Sequence, residues 1–290
     1  MTYSKKTSPL GFIYASPTPS PQELNEHYAN KYYQRPEGSY SADYSAEERQ
    51  YFKSIATVSD RTAASLNFDR SLFDIGCGEG FFSANLQAAG WSIKCCDFSS
   101  HGIEQFNPAI LPKFQQGDAY SAIDSAVAAG EQFGLVNLQN VLEHVIDPVD
   151  ILKRMKALVL PGAGGIRIRV PNDYSAFQMH LLERGLTTET WFAPPEHLSY
   201  FNNKSLVAIL EHCGYEILSL QADFPIEVFL TNQHSNYWKD RTVGKQAHQS
   251  RILVENFLVG SDVDAYIEYS SAAAKLGFGR DLVAYAKVAP

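Results

Sequence analysis

The chain has 290 residues, 45% hydrophobic and 19% charged, which is typical of a globular protein with a sizeable core. Its 32 Asp and Glu against 24 Lys and Arg give a formal charge of −8, which argues against nucleic acid as a partner because phosphate binding is mostly neutralisation by cations. No stretch predicts a membrane-spanning helix or a convincing signal peptide. The four cysteines show no CxxC pair or disulfide-like spacing, so we expect free thiols and a cytoplasmic protein.

The amino-terminal part is predicted to be helical. Pro21 is placed for the first turn of one helix, with the acidic Glu23 close behind. Residues 46–66 have apolar side chains at helical spacing and predict a second helix. We therefore expect residues 1–68 to form an N-terminal helical extension, or lid.

Beyond this extension, strands alternate with helical segments. Five strand candidates follow one another: SLFDIG, WSIKCCD, PKFQQGD, FGLVNLQNV and GGIRIRV. The amphipathic segment PVDILKRMKALV separates the last two. This alternation predicts a parallel sheet with helices on both faces.

The pattern weakens after Pro171, where residues 173–200 are aromatic-rich and hold no clean strand. NNKSLVAILEHCG predicts a helix, YEILSLQA a sixth strand, and residues 224–276 are mostly helical. RDLVAYAKVA predicts a last strand that returns to the same sheet beside the sixth. Because helical insertions often mediate dimers, a homodimer is a further hypothesis.

The predicted fold is therefore a doubly wound α/β protein with a mostly parallel seven-stranded sheet. The expected segments are the extension, an α/β core at 69–222, a helical cap insertion at 223–276 and the final core strand at 277–290.

The strongest chemical signal is the segment LFDIGCGEGFF. Gly76, Gly78 and Gly80 form a G-x-G-x-G turn between a strand and a helix, which lets the backbone approach a ligand closely. Asp74 precedes the first glycine and Glu79 lies inside the turn. These acids would repel a pyrophosphate and favour a cationic amino-acid moiety.

Two further acids end the next two strands. Asp97 is placed to hold both hydroxyls of a ribose, and Asp118 to reach an adenine edge. Each acid alone could be a helix N-cap. The ordered set with Asp74 fits adenosine carrying an ammonium group and a sulfonium, and it does not fit a dinucleotide.

These residues carry a resemblance. FDIGCGEG, CCDFS, QGDA and NLQNVLEHVIDPVDILKRMKALVLPGAGGIRIRVPN resemble, in order, the motifs of class I S-adenosylmethionine-dependent methyltransferases. The resemblance runs from about Leu72 to Tyr215 and implies an antiparallel last strand pair. It also implies a set of cofactor contacts: Asp74, Gly76, Cys77, Gly78, Glu79 and Gly80 at the methionine end, Asp97 and Phe98 at ribose and adenine, Asp118 and Ala119 at the adenine amine, and Gln139 and Asn140 near the sulfonium.

The flanking segments resemble a narrower group. YASPTPSPQELNEHYANKYYQ and PPEHLSYFNNKSLVAILEHCGYEI are similar to methyltransferases found with polysaccharide and sugar-modifying genes. The zinc ribbon of many members has no counterpart, since no cysteine occurs before Cys77. EHLSYF resembles a segment of sugar C-methyltransferases in which a Glu-His pair and a tyrosine face the sugar. Tyr28, Tyr32 and Tyr33 are expected either to close over the cofactor or to form the buried face of a short helix.

Methyl transfer from a sulfonium is a direct displacement that often needs a base. His144, in LEHV, follows the fourth strand near the expected methyl group, although a structural role at a helix start is the alternative. His197, in PEHLSY, has Glu196 and Tyr200 around it, and a pocket-lining or a structural role fits it equally. These four residues are the catalytic candidates.

A metal is not expected from the sequence. Some quinol-type O-methyltransferases resemble this segment but carry an extra glutamate three residues before the Glu-His pair, where Asn140 stands here. Only Glu143 and His144 remain as natural ligands, and two ligands are few for a hard divalent cation.

The sequence therefore predicts a methyltransferase acting on a small molecule such as a sugar, a nucleotide-sugar or a natural-product intermediate. An NAD(P)-dependent oxidoreductase is one alternative, disfavoured by Glu79 and by the missing third-glycine spacing of a dinucleotide fingerprint. A non-catalytic module that binds S-adenosylmethionine is another.

Overall fold

A seven-stranded sheet organises the computed structural model, which describes residues 2–20, 22–24 and 43–290. Its spatial strand order is β5-β4-β3-β6-β7-β10-β9. The strands are β1 (Ser4–Thr7), β2 (Ile13–Ser16), β3 (Ser71–Ile75), β4 (Ser92–Asp97), β5 (Phe114–Gln116), β6 (Leu135–Gln139), β7 (Gly165–Pro171), β8 (Ser199–Tyr200), β9 (Tyr215–Ala222) and β10 (Asp281–Val288).

The directions of the strands confirm the predicted sheet. Strands β3 to β7 pair in parallel, whereas β10 runs antiparallel to both of its neighbours, β7 and β9. All seven residues of β7 are buried, as expected for a central strand covered on both faces.

Helices cover both faces of this sheet: α1 (Ala46–Ser65), α2 (Phe81–Ala88), α3 (His101–Phe106), α4 (Ala119–Ala128), α5 (Pro148–Met155), α6 (Ala176–Glu183), α7 (Asn203–His212), α8 (Gly244–Ser261) and α9 (Val263–Leu276). Local sequence explains where the predicted ones begin. Ser45 and Glu48 form a capping box at α1, and Asp147 caps α5 with Pro148 in its first turn.

Two apolar clusters form the core, one on each face of the sheet. On one face, side chains of α4, α5 and α7 pack against strand residues such as Phe73 and Val136. On the other, α1, α2 and α3 pack against Leu72 and Leu135. The alternation of neighbouring strand residues between the two clusters follows from the pleat of the strands.

The first residues of the extension differ from the prediction. The expectation of a helical extension is wrong for residues 4–16, which form the antiparallel hairpin β1–β2. Strand β2 in turn pairs with β8, and Phe12 packs on Phe201 with 5.2 Å between ring centroids. These long-range contacts override local helical preference. Tyr28, Tyr32 and Tyr33 lie outside the described residues.

The cap is helical, as predicted, and packs on α1. Residues 226–231 form a 3-10 turn, followed by α8 and α9. Arg61 of α1 pairs with Asp264 of α9 at 2.6 Å. No helix among the described residues is long and apolar enough to cross a membrane.

A buried ion cluster fastens the cap to the sheet. Arg169 of β7 pairs with Asp281 of β10 at 2.7 Å and with Asp223 at 3.0 Å. Arg251 of α8 approaches Asp223 at 3.4 Å, and both arginines reach the hydroxyl of Tyr51 in α1. The cluster borders a cavity of about 30 Å³, which has room for about one water molecule.

Candidate active site

A cavity of about 200 Å³ lies at the carboxyl ends of β3 and β6. Its wall consists of residues 76–82, Asp74, Gln139 and the α1 side chains Phe52 and Ile55. In open parallel sheets this edge is where ligands bind. The predicted glycine turn and the end of the fourth core strand therefore share one cavity.

The backbone of the turn requires glycine. Gly76, Gly78 and Gly80 have φ angles of +76°, +55° and +76°, in the region that side-chain-bearing residues rarely adopt. A Cβ at Gly76 would lie 2.4 Å from Cγ2 of Val141, so a larger residue would displace the segment after β6.

Asp74 lies beneath this turn and is 1% exposed. Its carboxylate accepts hydrogen bonds from the Ser83 hydroxyl and the Asn137 amide, both at 2.7 Å. Arg167 extends this hydrogen-bond network by donating to Asn137 Oδ1 at 2.8 Å and to Gln139 Oε1 at 3.1 Å. The Asp74 carboxylate is thus held by protein donors, and burial raises its pKa. Sequence analysis did not identify Arg167, whose partners lie on neighbouring strands.

The two predicted adenosine contacts differ in their surroundings. Asp97 Oδ2 accepts the backbone N–H of Gly78 at 2.8 Å, which ties the end of β4 to the glycine turn. Burial raises the pKa of Asp97. Asp118 caps α4 by accepting from the Ser121 N–H at 3.0 Å, which is the alternative role considered for it. Phe98 is 46% exposed.

Tyr44 contacts Glu79 at the mouth of the turn. Its hydroxyl lies 2.7 Å from both carboxylate oxygens of Glu79 and donates a hydrogen bond to that group. The Tyr44 ring packs against Phe52, Phe81 and Phe106 with centroid distances of 5.0, 5.3 and 5.2 Å. Burial raises the pKa of Glu79, and the Tyr44 hydrogen bond opposes that rise. Tyr44 was not among the residues predicted from the sequence. The one sequence feature that marks it is its position directly before Ser45, the N-cap of α1.

The two candidate histidines lie in contact. The ring centroids of His144 and His197 are 4.7 Å apart. Nδ1 of His144 lies 2.6 Å from the carbonyl oxygen of Glu196. A carbonyl oxygen only accepts, so Nδ1–H of His144 donates this hydrogen bond.

Glu143 is buried beside His144 and His197. It is 1% exposed, and its carboxylate oxygens have no hydrogen-bond partner among the described residues. Oε1 of Glu143 is 3.7 Å from Nε2 of His144. One ligand atom from each of Glu143, His144 and His197 lies within 4.8 Å of the other two. Burial raises the pKa of Glu143 well above its ordinary value.

Tyr200 and the backbone around it hold the His197 segment in place. The Tyr200 hydroxyl donates to the carbonyl of His197 at 2.7 Å and accepts from the N–H of Ala193 at 3.1 Å. The carbonyl of Glu143 accepts from the N–H groups of Leu198 and Ser199 at 2.8 and 3.1 Å. Tyr200 is 2% exposed, so its bonds favour a positioning role over contact with an acceptor.

Comparison with known proteins identifies the family. Residues 46–220 match a family model described as a methyltransferase domain. The ubiquinone biosynthesis O-methyltransferase of Aeromonas salmonicida is 25% identical over 174 residues, which cover 55% of this chain and 71% of that protein. The protein of the same name from Colwellia psychrerythraea is 30% identical over 100 residues, 33% of this chain and 39% of its own.

A solved structure agrees in fold. A SAM-dependent methyltransferase from Archaeoglobus fulgidus superposes with a TM-score of 0.51 at 19% identity, covering 81% of this chain and 94% of that one. The chain belongs to the methyltransferase-domain family and is a class I methyltransferase that uses S-adenosylmethionine. The oxidoreductase alternative is therefore wrong. The relatives above are named for ubiquinone biosynthesis and do not support the expected sugar-modifying subfamily.

Proposed function

We propose that this S-adenosylmethionine-dependent methyltransferase transfers the methyl group to a hydroxyl oxygen of a small-molecule acceptor. The observation that carries the proposal is the contact between His144 and His197 at the edge of the sheet that also forms the glycine-turn cavity. The names of the relatives, which are O-methyltransferases, support oxygen as the acceptor atom. Phenols and sugars both present such a hydroxyl.

The cavity is the proposed cofactor site. Gly76, Gly78 and Gly80 line the space proposed for the methionine part, and the Glu79 carboxylate provides the negative charge that suits its cationic groups. The remaining proposed contacts are Cys77 and Asp74 at the methionine end, Asp97 and Phe98 at ribose and adenine, Asp118 and Ala119 at the adenine edge, and Gln139 and Asn140 near the sulfonium.

The proposed reaction is a single displacement. A lone pair of the acceptor oxygen attacks the methyl carbon while the bond between that carbon and sulfur breaks, which gives the methyl ether and S-adenosylhomocysteine. The acceptor hydroxyl loses its proton to solvent water during the transfer, and the group formed by Glu143, His144 and His197 activates the hydroxyl. Glu196 takes part through its carbonyl, which orients His144.

Two measurements test this function. Calorimetric titration should show binding of S-adenosylmethionine and S-adenosylhomocysteine and no binding of NADH. Formation of S-adenosylhomocysteine should then be followed with a panel of catechols, monophenols, sugars and matched amines. Methylation of a hydroxyl that falls in His197→Ala and persists in the exposed control His212→Ala supports the proposal. Methylation confined to nitrogen or carbon would overturn it.

The predicted homodimer has a supporting surface on α8. Leu253 and Phe257 lie one helical turn apart and are 58% and 69% exposed. Large apolar side chains exposed together favour association. Light scattering coupled to size exclusion tests this: Leu253→Glu with Phe257→Glu should convert a dimer to a monomer, and a monomeric wild-type protein would exclude it.

A further inference from the structure

We propose that Glu143, His144 and His197 form a binding site for one divalent cation of the zinc type. The proposal comes from the position of three donor groups around one point. Their ligand atoms lie within 4.8 Å of one another, although they come from the β6–α5 loop and from the segment before β8. Binding itself is independent of the proposed function, whereas the catalytic role of the ion rests on it.

The donor set indicates the kind of metal. Two imidazole nitrogens with one carboxylate suit zinc and neighbouring first-row metals, whereas magnesium and calcium prefer oxygen ligands. Zinc-bound nitrogens lie at about 2.0 Å from the ion, so tetrahedral ligand atoms are about 3.3 Å apart. Small side-chain rotations would bring atoms now within 4.8 Å to that spacing.

The Glu143 carboxylate provides the second argument. A buried carboxylate without a hydrogen-bond partner among the described residues carries a large desolvation cost, which a bound cation would offset.

The surroundings of His144 provide the third argument. Ligating histidines commonly donate the N–H that does not face the metal to a carbonyl or carboxylate, which fixes the orientation of the ring. His144 has this arrangement, since its Nδ1–H donates to the Glu196 carbonyl and its Nε2 faces Glu143.

The third donor, His197, is not predicted as a ligand from the sequence. The sequence offers two ligands, Glu143 and His144, because Asn140 replaces the additional glutamate of the quinol-type enzymes. The structure adds His197, whose segment is joined to the Glu143 carbonyl by the N–H groups of Leu198 and Ser199. Three protein ligands leave a fourth position for a water or a hydroxyl, as in catalytic zinc sites.

A cation in this position would activate the acceptor as a Lewis acid. It would lower the pKa of the acceptor hydroxyl, whose proton passes to solvent water. The oxygen then attacks the methyl carbon as the carbon–sulfur bond breaks. The metal is neither oxidised nor reduced.

Cobalt(II) is the first probe, because it occupies zinc sites and absorbs visible light when bound. The tag-free full chain is treated with a chelator, desalted and titrated with Co²⁺, and then with Zn²⁺ in competition. We expect one saturable visible band at one ion per chain, displaced by zinc. Glu143→Gln and His197→Ala should each weaken cobalt binding on the order of 100-fold, whereas the control His212→Ala should bind like wild type.

Circular dichroism and S-adenosylmethionine binding show whether each variant is folded, and Glu143→Gln keeps the side-chain volume. Absence of a saturable cobalt band in wild type, or equal binding by folded His197→Ala, overturns the metal site. If chelated protein also retains full turnover that His197→Ala loses, the histidines act directly and the proposed function stands. If cobalt binds as expected but no hydroxyl is methylated, the metal site stands and the proposed function fails.

Discussion

The imidazole rings of His144 and His197 meet edge to face, with 4.7 Å between their centroids and 85° between their planes. They belong to two segments that are fastened to each other by backbone bonds from Leu198 and Ser199 to Glu143. The contact therefore depends on the β6–α5 loop and the segment before β8 moving together. It brings two candidate groups of the sequence into a single site.

Replacing His197 by alanine should separate catalysis from cofactor binding. His197 is not among the residues that line the glycine-turn cavity, so the dissociation constant for S-adenosylmethionine should stay within about twofold. Turnover should fall on the order of 100-fold or more, because acceptor activation is lost. Calorimetry and a coupled assay for S-adenosylhomocysteine measure the two effects, with exposed His212→Ala as control. Unchanged turnover would remove His197 from the mechanism.

Asp97→Ala, in contrast, should weaken the binding of S-adenosylmethionine. The variant loses the carboxylate proposed to hold the ribose and also leaves the Gly78 N–H without its acceptor. Affinity for S-adenosylmethionine should fall on the order of 10- to 100-fold, since a hydrogen bond to a charged group contributes roughly 1.5–3 kcal/mol. Asp124→Ala, which removes an exposed partner of Arg154, is the matched control. Equal affinities in a calorimetric titration would contradict the ribose assignment.

Tyr44→Phe should change how cofactor affinity depends on pH. The Tyr44 hydroxyl stabilises the ionised Glu79 carboxylate and so holds its pKa below the value that burial alone would give. Without it the pKa of Glu79 rises, and affinity for the cationic cofactor is lost at a higher pH as the solution is acidified. Calorimetric titrations at a series of pH values upward from the ordinary glutamate pKa of about 4.3 should show the shift. Tyr120→Phe, whose hydroxyl donates to the Asp147 carbonyl, should show none.

Gly76→Ala tests the close packing of the glycine turn. Gly76 and Gly90 both have positive φ, at +76° and +93°, so either alanine variant should lose about 1–2 kcal/mol of unfolding free energy. Only the Cβ at Gly76 meets a neighbour, Cγ2 of Val141 at 2.4 Å, whereas none lies within 4 Å at Gly90. Gly76→Ala should therefore be the less stable variant and should bind S-adenosylmethionine poorly. Denaturant titrations and calorimetry that gave equal results would refute this explanation.

Asp173→Asn should alter stability as a function of pH. Burial raises the pKa of Asp173 to about 7, above the unfolded value of about 3.9, so the folded chain keeps a proton that the unfolded chain has lost. The stability contribution of Asp173 is full below about pH 4 and is lost as pH rises through about 7. Asparagine does not ionise, so the unfolding free energy of the variant relative to wild type should increase over this interval, on the order of 1–3 kcal/mol.

Denaturant unfolding at a series of pH values checks this difference. Asp124→Asn changes an exposed carboxyl of the same type and should follow the wild-type curve. A variant-to-wild-type difference that stays constant from pH 4 to pH 7 would show that Asp173 titrates normally.

The local sequence pattern predicts the strands of the seven-stranded sheet but not the β1–β2 hairpin. All seven core strands were predicted, and the central ones, β3, β6 and β7, have apolar runs that helices bury on both faces of the sheet. Strand β1 reads SKKT, with all four residues exposed and no apolar alternation. Its extended form depends on pairing with β2, which in turn meets β8, and nothing within four residues indicates a partner so far along the chain.

The same distinction applies to the site. The glycine turn is a local motif, since Gly76, Gly78 and Gly80 together define its backbone. The partnerships of Tyr44 with Glu79 and of His144 with His197 join side chains from different elements. Residue type suggested the histidines, but their spacing follows from the register of neighbouring segments, which sequence pattern does not determine.

The position of β10 has a consequence for biosynthesis. It is the last strand in chain order, yet it lies between β7 and β9 and is the one neighbour of β9 in the described sheet. On the ribosome, the facing edges of β7 and β9 therefore emerge with unpaired backbone groups and wait for residues 281–288. Asp281 belongs to that strand and is one of the two carboxylate partners of buried Arg169 described above. The nascent chain thus stays exposed to edge-to-edge aggregation until β10 has emerged from the ribosome.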